Sequence, residues 1–118
     1  MAGKLTNKFG NIRIDENVVG TLAGIAAMEC YGLVGMASSS ATDGLVELLR
    51  GDNLTKGVKV TSEENRVKID LFIIVQFGIS ISVVSSNIME KVKYSVENIT
   101  GLEVEGVNIN VQGVRVQN

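Results

Sequence analysis

Two adjoining stretches decide the fold: residues 82–100, SVVSSNIMEKVKYSVENIT, and residues 101–116, GLEVEGVNINVQGVRV. Apolar side chains recur in the first stretch every fourth residue, at Val84, Ile88, Val92 and Val96, with Ile99 closing the stripe. This period predicts a half-buried amphipathic helix. Gly101 supplies a left-handed cap, after which the pattern alternates and predicts a strand.

The predicted last strand changes phase near Gly113. Its apolar side chains occupy first odd and then even positions: Val107, Ile109, Val111, Val114 and Val116. A slip of one residue at Gly113 keeps both sets on one face of the sheet, which is the effect of a β-bulge. The other face is then expected to carry Asn108, Asn110, Gln112 and Arg115.

A second amphipathic helix is predicted between Asp15, which can cap its start, and Gly32, which ends it through a left-handed conformation. The residues expected to share its inward side are Val18, Leu22, Ile25, Ala26 and Glu29. Small residues on the same helix allow close packing against its neighbours: Gly20, Ala23, Gly24 and Ala27.

The middle of the chain is predicted to be a hairpin preceded by a short helix. Residues 58–61 alternate apolar with polar, residues 63–65 form a polar turn, and residues 67–77 return as a longer strand. Before the hairpin, Thr42 or Asp43 caps a predicted short third helix. That helix runs through Leu45, Leu48 and Leu49 and closes at Gly51.

These elements predict an α/β (α+β) two-layer sandwich. It has a mixed sheet of about four strands, two main helices on one face and a short third helix. Residues 1–118 are expected to form a single domain, because the sequence contains no linker, repeat or low-complexity run. The predicted core is Ile14, Leu22, Ile25, Ile69, Leu71, Ile73, Ile88, Val92, Val96, Val107 and Ile109.

Composition favours a globular cytosolic protein. The chain has 118 residues, 45% of them hydrophobic and 20% charged, which argues against disorder. Its net charge is −2 and its 11 Lys and Arg are scattered, so nothing points to nucleic acid. Cys30 is the single cysteine, which excludes an intrachain disulfide and favours a reducing compartment. Charged and polar residues interrupt the apolar stretch 67–84, so no transmembrane segment is predicted.

No residue has the surroundings of a catalyst. The chain lacks histidine, the commonest general base. Cys30 is placed at a helix C-terminus, where the dipole opposes a thiolate, and Ser38 has no visible activator. Glu103 and Glu105 share a face but are interpreted as solvated charges on a strand. We therefore expect no enzyme activity, no catalytic residue, no cofactor site and no metal site.

A candidate interaction surface involves Phe72 and Ile74. In the strand 67–77 one face is apolar throughout: Val67, Ile69, Leu71, Ile73, Val75 and Phe77. Phe72 and Ile74 lie on the opposite face, where an apolar patch needs cover. Two interpretations stand equal: cover by the N-terminal segment that includes Phe9, or contact with a second copy or another protein.

The segment from Gly32 to Gly35, GLVG, is similar to the clamp loop of KH-type RNA-binding domains. Such a loop needs basic residues beside the phosphates, whereas here its middle residues are Leu33 and Val34. A structural cap is the favoured interpretation, and RNA binding is kept as the weaker alternative.

Three stretches resemble the alkaline shock protein family, the Gls-type envelope stress proteins of Gram-positive bacteria. Residues 10–36, GNIRIDENVVGTLAGIAAMECYGLVGM, are similar to its opening strand and Gly-Ile-Ala-Ala helix. KGVKV at 56–60 and VKIDLFIIVQFGISI at 67–81 are similar to its central hairpin. The closest match is residues 88–114, which contain ITGLEVEGVNINVQGV. The length fits the short, YloU-like branch.

The resemblance implies a non-enzymatic protein of cell-envelope homeostasis that acts through protein contacts. The implied partners are further copies of itself, a separate membrane anchor protein and a fatty-acid kinase. The implied location is cytoplasmic, with peripheral attachment to the membrane through a partner. A small-ligand or lipid-binding accessory protein is the alternative, and it predicts a cavity lined by apolar residues.

Overall fold

The computed structural model describes residues 3–7, 10–38, 48–49 and 56–116. Its elements in chain order are β1 (Gly3–Asn7), β2 (Gly10–Ile14), α1 (Glu16–Met28), β3 (Leu33–Ala37), β4 (Leu48–Leu49), β5 (Val58–Glu63), β6 (Arg66–Gln76), α2 (Ile81–Thr100) and β7 (Glu103–Arg115). Asp15 caps α1 as predicted, because its Oδ1 accepts a hydrogen bond from the Asn17 backbone N–H at 2.7 Å.

Strand β6 is the centre of a five-stranded mixed sheet. Along one edge it pairs in parallel with β7, and α2 makes the crossover that a parallel pair requires. Its other edge is divided between two antiparallel partners, β5 beside its first half and β3 beside its second half, with β4 outside β3. Strands β1 and β2 form a separate hairpin. The mixed sheet and the β5–β6 hairpin are confirmed.

The core lies between this sheet and the two helices. Six predicted core residues have no exposed surface: Ile69, Leu71, Ile73, Ile88, Val92 and Val96. Four others are partly buried and pack against the cluster from its margins: Ile14, Leu22, Val107 and Ile109. The prediction for Ile25 is wrong, because 49% of its surface is exposed.

Helix α1 is rotated relative to the prediction. Its buried residues are Val19, Gly20, Ala23, Gly24, Ala26 and Ala27. These small residues let the helix approach the sheet closely: a Cβ atom on Gly20 would lie 3.9 Å from Cβ of Val58. The wide side chains of Val18 and Ile25 are therefore turned outward. The helix also ends at Met28, earlier than Gly32, and Glu29 caps it and pairs with Lys91 at 3.5 Å.

Helix α2 follows the prediction except at its last turn. Val84, Ile88, Val92 and Val96 are buried, and Gly101 caps the helix with φ 78° while its N–H donates to the Glu97 carbonyl. Ile99, however, is 64% exposed, and Thr100 is buried in its place. Thr100 Oγ1 donates to the Val96 carbonyl at 2.6 Å and accepts from the Leu102 N–H at 3.1 Å, so its polar atom is satisfied.

The predicted short third helix is not confirmed. Leu48 and Leu49 form strand β4 and pair with Ala37 and Met36, because the edge of β3 offers them backbone partners. The remainder of that prediction, including Thr42, Asp43, Leu45 and Gly51, lies outside the described residues.

Strand β7 contains the predicted bulge and a second one. Val111 pairs with Ile73 and Gly113 with Ile74, which leaves Gln112 as the extra residue. An equivalent shift earlier in the strand makes Glu105 an extra residue.

Strand β6 ends at Gln76, so the prediction that Phe77 faces the core is wrong: Phe77 is 69% exposed.

Candidate interaction surfaces

The outer face of the sheet holds the two residues predicted as an interaction surface. Ile74 has no exposed surface, and its register partners are Gly35 on β3 and Gly113 on β7. Phe72 is half-buried and pairs with Asn110. Phe9, the residue proposed to cover them, lies outside the described residues. Only Phe72 of the pair therefore presents side-chain surface, and its role in contact stays a prediction.

The rest of this outer face is polar. Asn108 Nδ2 donates to Asp70 Oδ1 at 2.8 Å across β6 and β7, and Arg66 approaches Glu103 at 3.9 Å with both side chains largely exposed. Glu105 is also exposed, which agrees with its interpretation as a solvated charge. Exposed ion pairs of this kind contribute little to stability.

The outward face of α1 is a larger apolar surface, and the sequence pattern assigned it to the core. Val18 and Ile25 are each 49% exposed and Met28 is 40% exposed. Beside Val18 is a cavity of about 270 Å³, whose described lining is Asn17, Val18, Thr21 and Leu22. The spacing of the glycines and alanines in α1 was the signal for this orientation, because a stripe of small residues marks a close helix contact.

Two small cavities are lined by described residues of α1. A second cavity of about 190 Å³ lies between α1 and β5, where its described lining is Glu16, Asn17, Gly20, Val58, Lys59 and Val60. Both volumes are below the ~300–1,000 Å³ of ordinary ligand pockets. At this junction the Ser62 hydroxyl donates to Glu16 Oε2 at 3.1 Å, which satisfies a buried polar group. The geometry favours packing over ligand binding at both places.

Cys30 is a boundary residue of the core, as predicted. It is partly buried, packs against the core cluster and its Sγ donates to the Ala26 carbonyl at 3.6 Å. Burial raises the pKa of its thiol, and the neighbouring Glu29 carboxylate raises it further, while Lys91 opposes both. The thiol is therefore protonated at neutral pH, which is the wrong state for a nucleophile.

The segment from Gly32 to Gly35 is not a clamp loop. Leu33 begins strand β3, and Gly35 is a buried residue of that strand, in register with Ile74. No backbone loop of the KH type therefore stands there to approach a phosphate. Within the described ranges no cluster of Cys, Asp and Glu has the arrangement of a metal site.

Neither described helix can cross a membrane, since α1 and α2 both lack the necessary apolar length.

Comparison with known proteins identifies the family. The model of the alkaline shock protein 23 family, described by a cell envelope-related function, matches residues 4–116. Protein YloU of Bacillus subtilis is 49% identical over 119 residues, covering 100% of this chain and 99% of its own. Protein Spy1614 of Streptococcus pyogenes is 40% identical, covering 98% and 97%.

More distant matches agree with the fold and the family. A stress response regulator gls24 homolog of Streptococcus pyogenes is 23% identical, covering 92% of this chain and 60% of its own. A variant of the MamM CTD has a TM-score of 0.50 at 13% identity and covers 83% of this chain and 94% of its own, which is a likeness of fold. The full-length match to the family model and the 49% identity to YloU show that this chain belongs to the alkaline shock protein 23 family.

Proposed function

We propose that this protein is a non-enzymatic component of the cell-envelope stress response that acts by binding other proteins. Its family carries a cell envelope-related function, and a relative at 23% identity is named as a stress response regulator. The protonated thiol of Cys30 also supports a role without covalent catalysis.

The orientation of α1 is the observation that carries this proposal. A surface helix normally buries its widest apolar side chains. Helix α1 buries Val19 together with glycines and alanines, while Val18, Ile25 and Met28 keep 40–49% of their surface exposed. Contiguous apolar surface of this kind marks a contact site in soluble proteins.

The partner that we propose for this face is a membrane-anchored protein with an apolar contact surface of its own. Such a partner would hold the protein at the envelope, to which the function of the family is related. A fatty-acid kinase is a second candidate partner, and the two are distinguished by which protein is captured.

Site-specific photo-crosslinking in Gram-positive cells tests the proposal. A crosslinker at position 25 should capture a small set of envelope proteins, identified by mass spectrometry. The matched control is position 99, because Ile99 is 64% exposed on α2 and outside the α1 face. Equal capture at both positions, or capture of no protein at position 25, would overturn the assignment of this face.

A substitution separates contact from folding. Ile25→Lys should abolish the capture of envelope proteins by the affinity-tagged protein. Its circular dichroism spectrum and melting temperature should stay unchanged, because a half-exposed lysine can extend into water. Ile99→Lys should preserve both capture and fold. Undiminished capture by a folded Ile25→Lys protein would contradict the proposal.

A further inference from the structure

Strand β7 has an open edge. It is the longest strand described, at 13 residues, and within the described part of the chain its single strand partner is β6. In a parallel pair a strand directs only some of its backbone groups toward its neighbour, so the outer edge of β7 carries N–H and C=O groups that a further strand could bind.

The charged residues of β7 do not prevent its open edge from pairing with a further strand. Edge strands commonly avoid pairing through central charges, prolines or bulges. In β7 the charged residues stand near the ends, at Glu103, Glu105 and Arg115. The two bulges also lie toward the ends, at Glu105 and Gln112, and leave residues 106–111, GVNINV, regular and uncharged.

The strand is complementary to itself when it is reversed. Ile109 is its middle residue, with Asn108 and Asn110 one position away and Val107 and Val111 two positions away on either side. Six positions from the middle, one end carries Glu103 and the other Arg115. The half of the strand before Ile109 and the half after it each contain one bulge residue. In an antiparallel pair of two copies, the paired halves therefore have equal length, and the ends stay in register.

The faces of the sheet agree with this alignment. Val107, Ile109 and Val111 are in register with Ile69, Leu71 and Ile73, so they face the helices, and they are only partly buried. Residues directly opposite each other in an antiparallel pair share a face. Val107 would therefore meet Val111 of the second copy on the helix side, where both would lose exposed surface.

The polar residues match on the opposite side of the sheet. Asn108 would lie opposite Asn110 of the second copy, and Glu103 would lie opposite its Arg115. Hydrogen bonds to Asp70 Oδ1 and to the Leu71 carbonyl hold the two asparagine amides at this face. A parallel alignment would instead place Glu103 beside Glu103, which is repulsive.

We propose that two copies of this chain pair antiparallel through their β7 edges, about a two-fold axis at Ile109, and form one continuous sheet. A second copy is the occupant because the edge complements its own sequence in pattern and charge, as an isologous interface requires. This interface does not depend on the α1 face or on the envelope role.

Analytical ultracentrifugation of the full chain over a wide micromolar concentration range tests the pairing. The wild type should show a monomer–dimer equilibrium. Asn108→Lys should shift it to monomer, because each lysine would replace an amide opposite Asn110 of the second copy and would lie diagonally across the axis from the other lysine. Asn108 is exposed and contacts Asp70, so a lysine there keeps a favourable neighbour and the fold should survive, as circular dichroism will show. A strictly monomeric wild type would overturn the proposal.

A charge exchange tests the alignment. At low ionic strength, Arg115→Glu and Glu103→Arg should each raise the dimer dissociation constant about fivefold or more, because each variant places like charges together twice. The double variant should recover dimerisation, since the exchanged charges again attract. A dimer that none of these variants changes would place the contact elsewhere and refute the β7 interface.

Discussion

Gly32 and Val84 are packed so closely that Gly32 has no room for a side chain. A Cβ atom on Gly32 would lie 2.8 Å from Val84 Cγ2 and equally close to Ile79 Cδ1. Gly32 also has φ 89°, a conformation that favours glycine. One residue thus connects the turn after α1 to the start of α2, and both its backbone and its lack of a side chain are required there.

Gly32→Ala should destabilise the protein more than Gly78→Ala. Gly78 has φ 91° but no heavy atom within 4 Å of its Cβ position, so alanine there adds backbone strain alone, about 1–2 kcal/mol. At Gly32 the same strain adds to a collision that costs about 1–3 kcal/mol more. Urea unfolding of the two variants measures the difference, and equal losses would contradict the close packing.

Ile88→Ala should lower the free energy of unfolding by about 2–5 kcal/mol, because Ile88 is completely buried between α2 and the sheet. The matched control is Ile99→Ala on the same helix. Ile99 is 64% exposed, so its loss should change stability by about 0.5 kcal/mol or less. Chemical denaturation measures the free energy of unfolding of both variants. A large loss of stability in Ile99→Ala would mean that Ile99 belongs to the buried face of α2, as the sequence pattern predicted.

The pKa of Cys30 predicts slow thiol chemistry and a loss of stability at alkaline pH. Burial raises this pKa above the ordinary value of 9.0, so the folded state holds the thiol proton more tightly than the unfolded state does. The stabilisation is complete below the unfolded pKa and disappears as the pH rises through the folded pKa. Thiol labelling against pH should show a midpoint above 9.0. Cys30→Ala should lack this contribution to the alkaline loss.

Cys30→Ala and Ser38→Ala should leave biological activity intact, because neither residue is expected to act as a nucleophile. The readout is complementation of a deletion strain under envelope stress, with protein levels compared by immunoblot. A folded, normally abundant variant that fails to complement would contradict the non-enzymatic proposal.

Phe72→Lys should fold and weaken self-association, because Phe72 is half-buried and lies beside Asn110 of the β7 strand. Ile74→Lys should unfold the domain, since Ile74 has no exposed surface and an unpaired charge would be buried. Circular dichroism and sedimentation separate the two effects. Sedimentation of Phe72→Lys identical to that of the wild type would exclude Phe72 from the contact.

Local sequence patterns predicted much of this architecture. The four-residue spacing from Val84 to Val96 identifies α2 and its buried face, because a helix must place such residues on one side. Gly101 and the phase change near Gly113 likewise located a helix end and a bulge, since both depend on neighbouring residues alone.

Tertiary contacts decided what local patterns left ambiguous. Helix α1 has one stripe with Val18, Leu22 and Ile25 and another with Val19 and small residues, and either could face inward. The close approach of Gly20 to Val58 selected the small stripe and left Ile25 exposed. Leu48 and Leu49 suit a helix in isolation, yet the open edge of β3 paired them as a strand. The position of β7 at an edge likewise depends on the assembled sheet. The symmetric order of its residues, by contrast, is visible in the sequence alone.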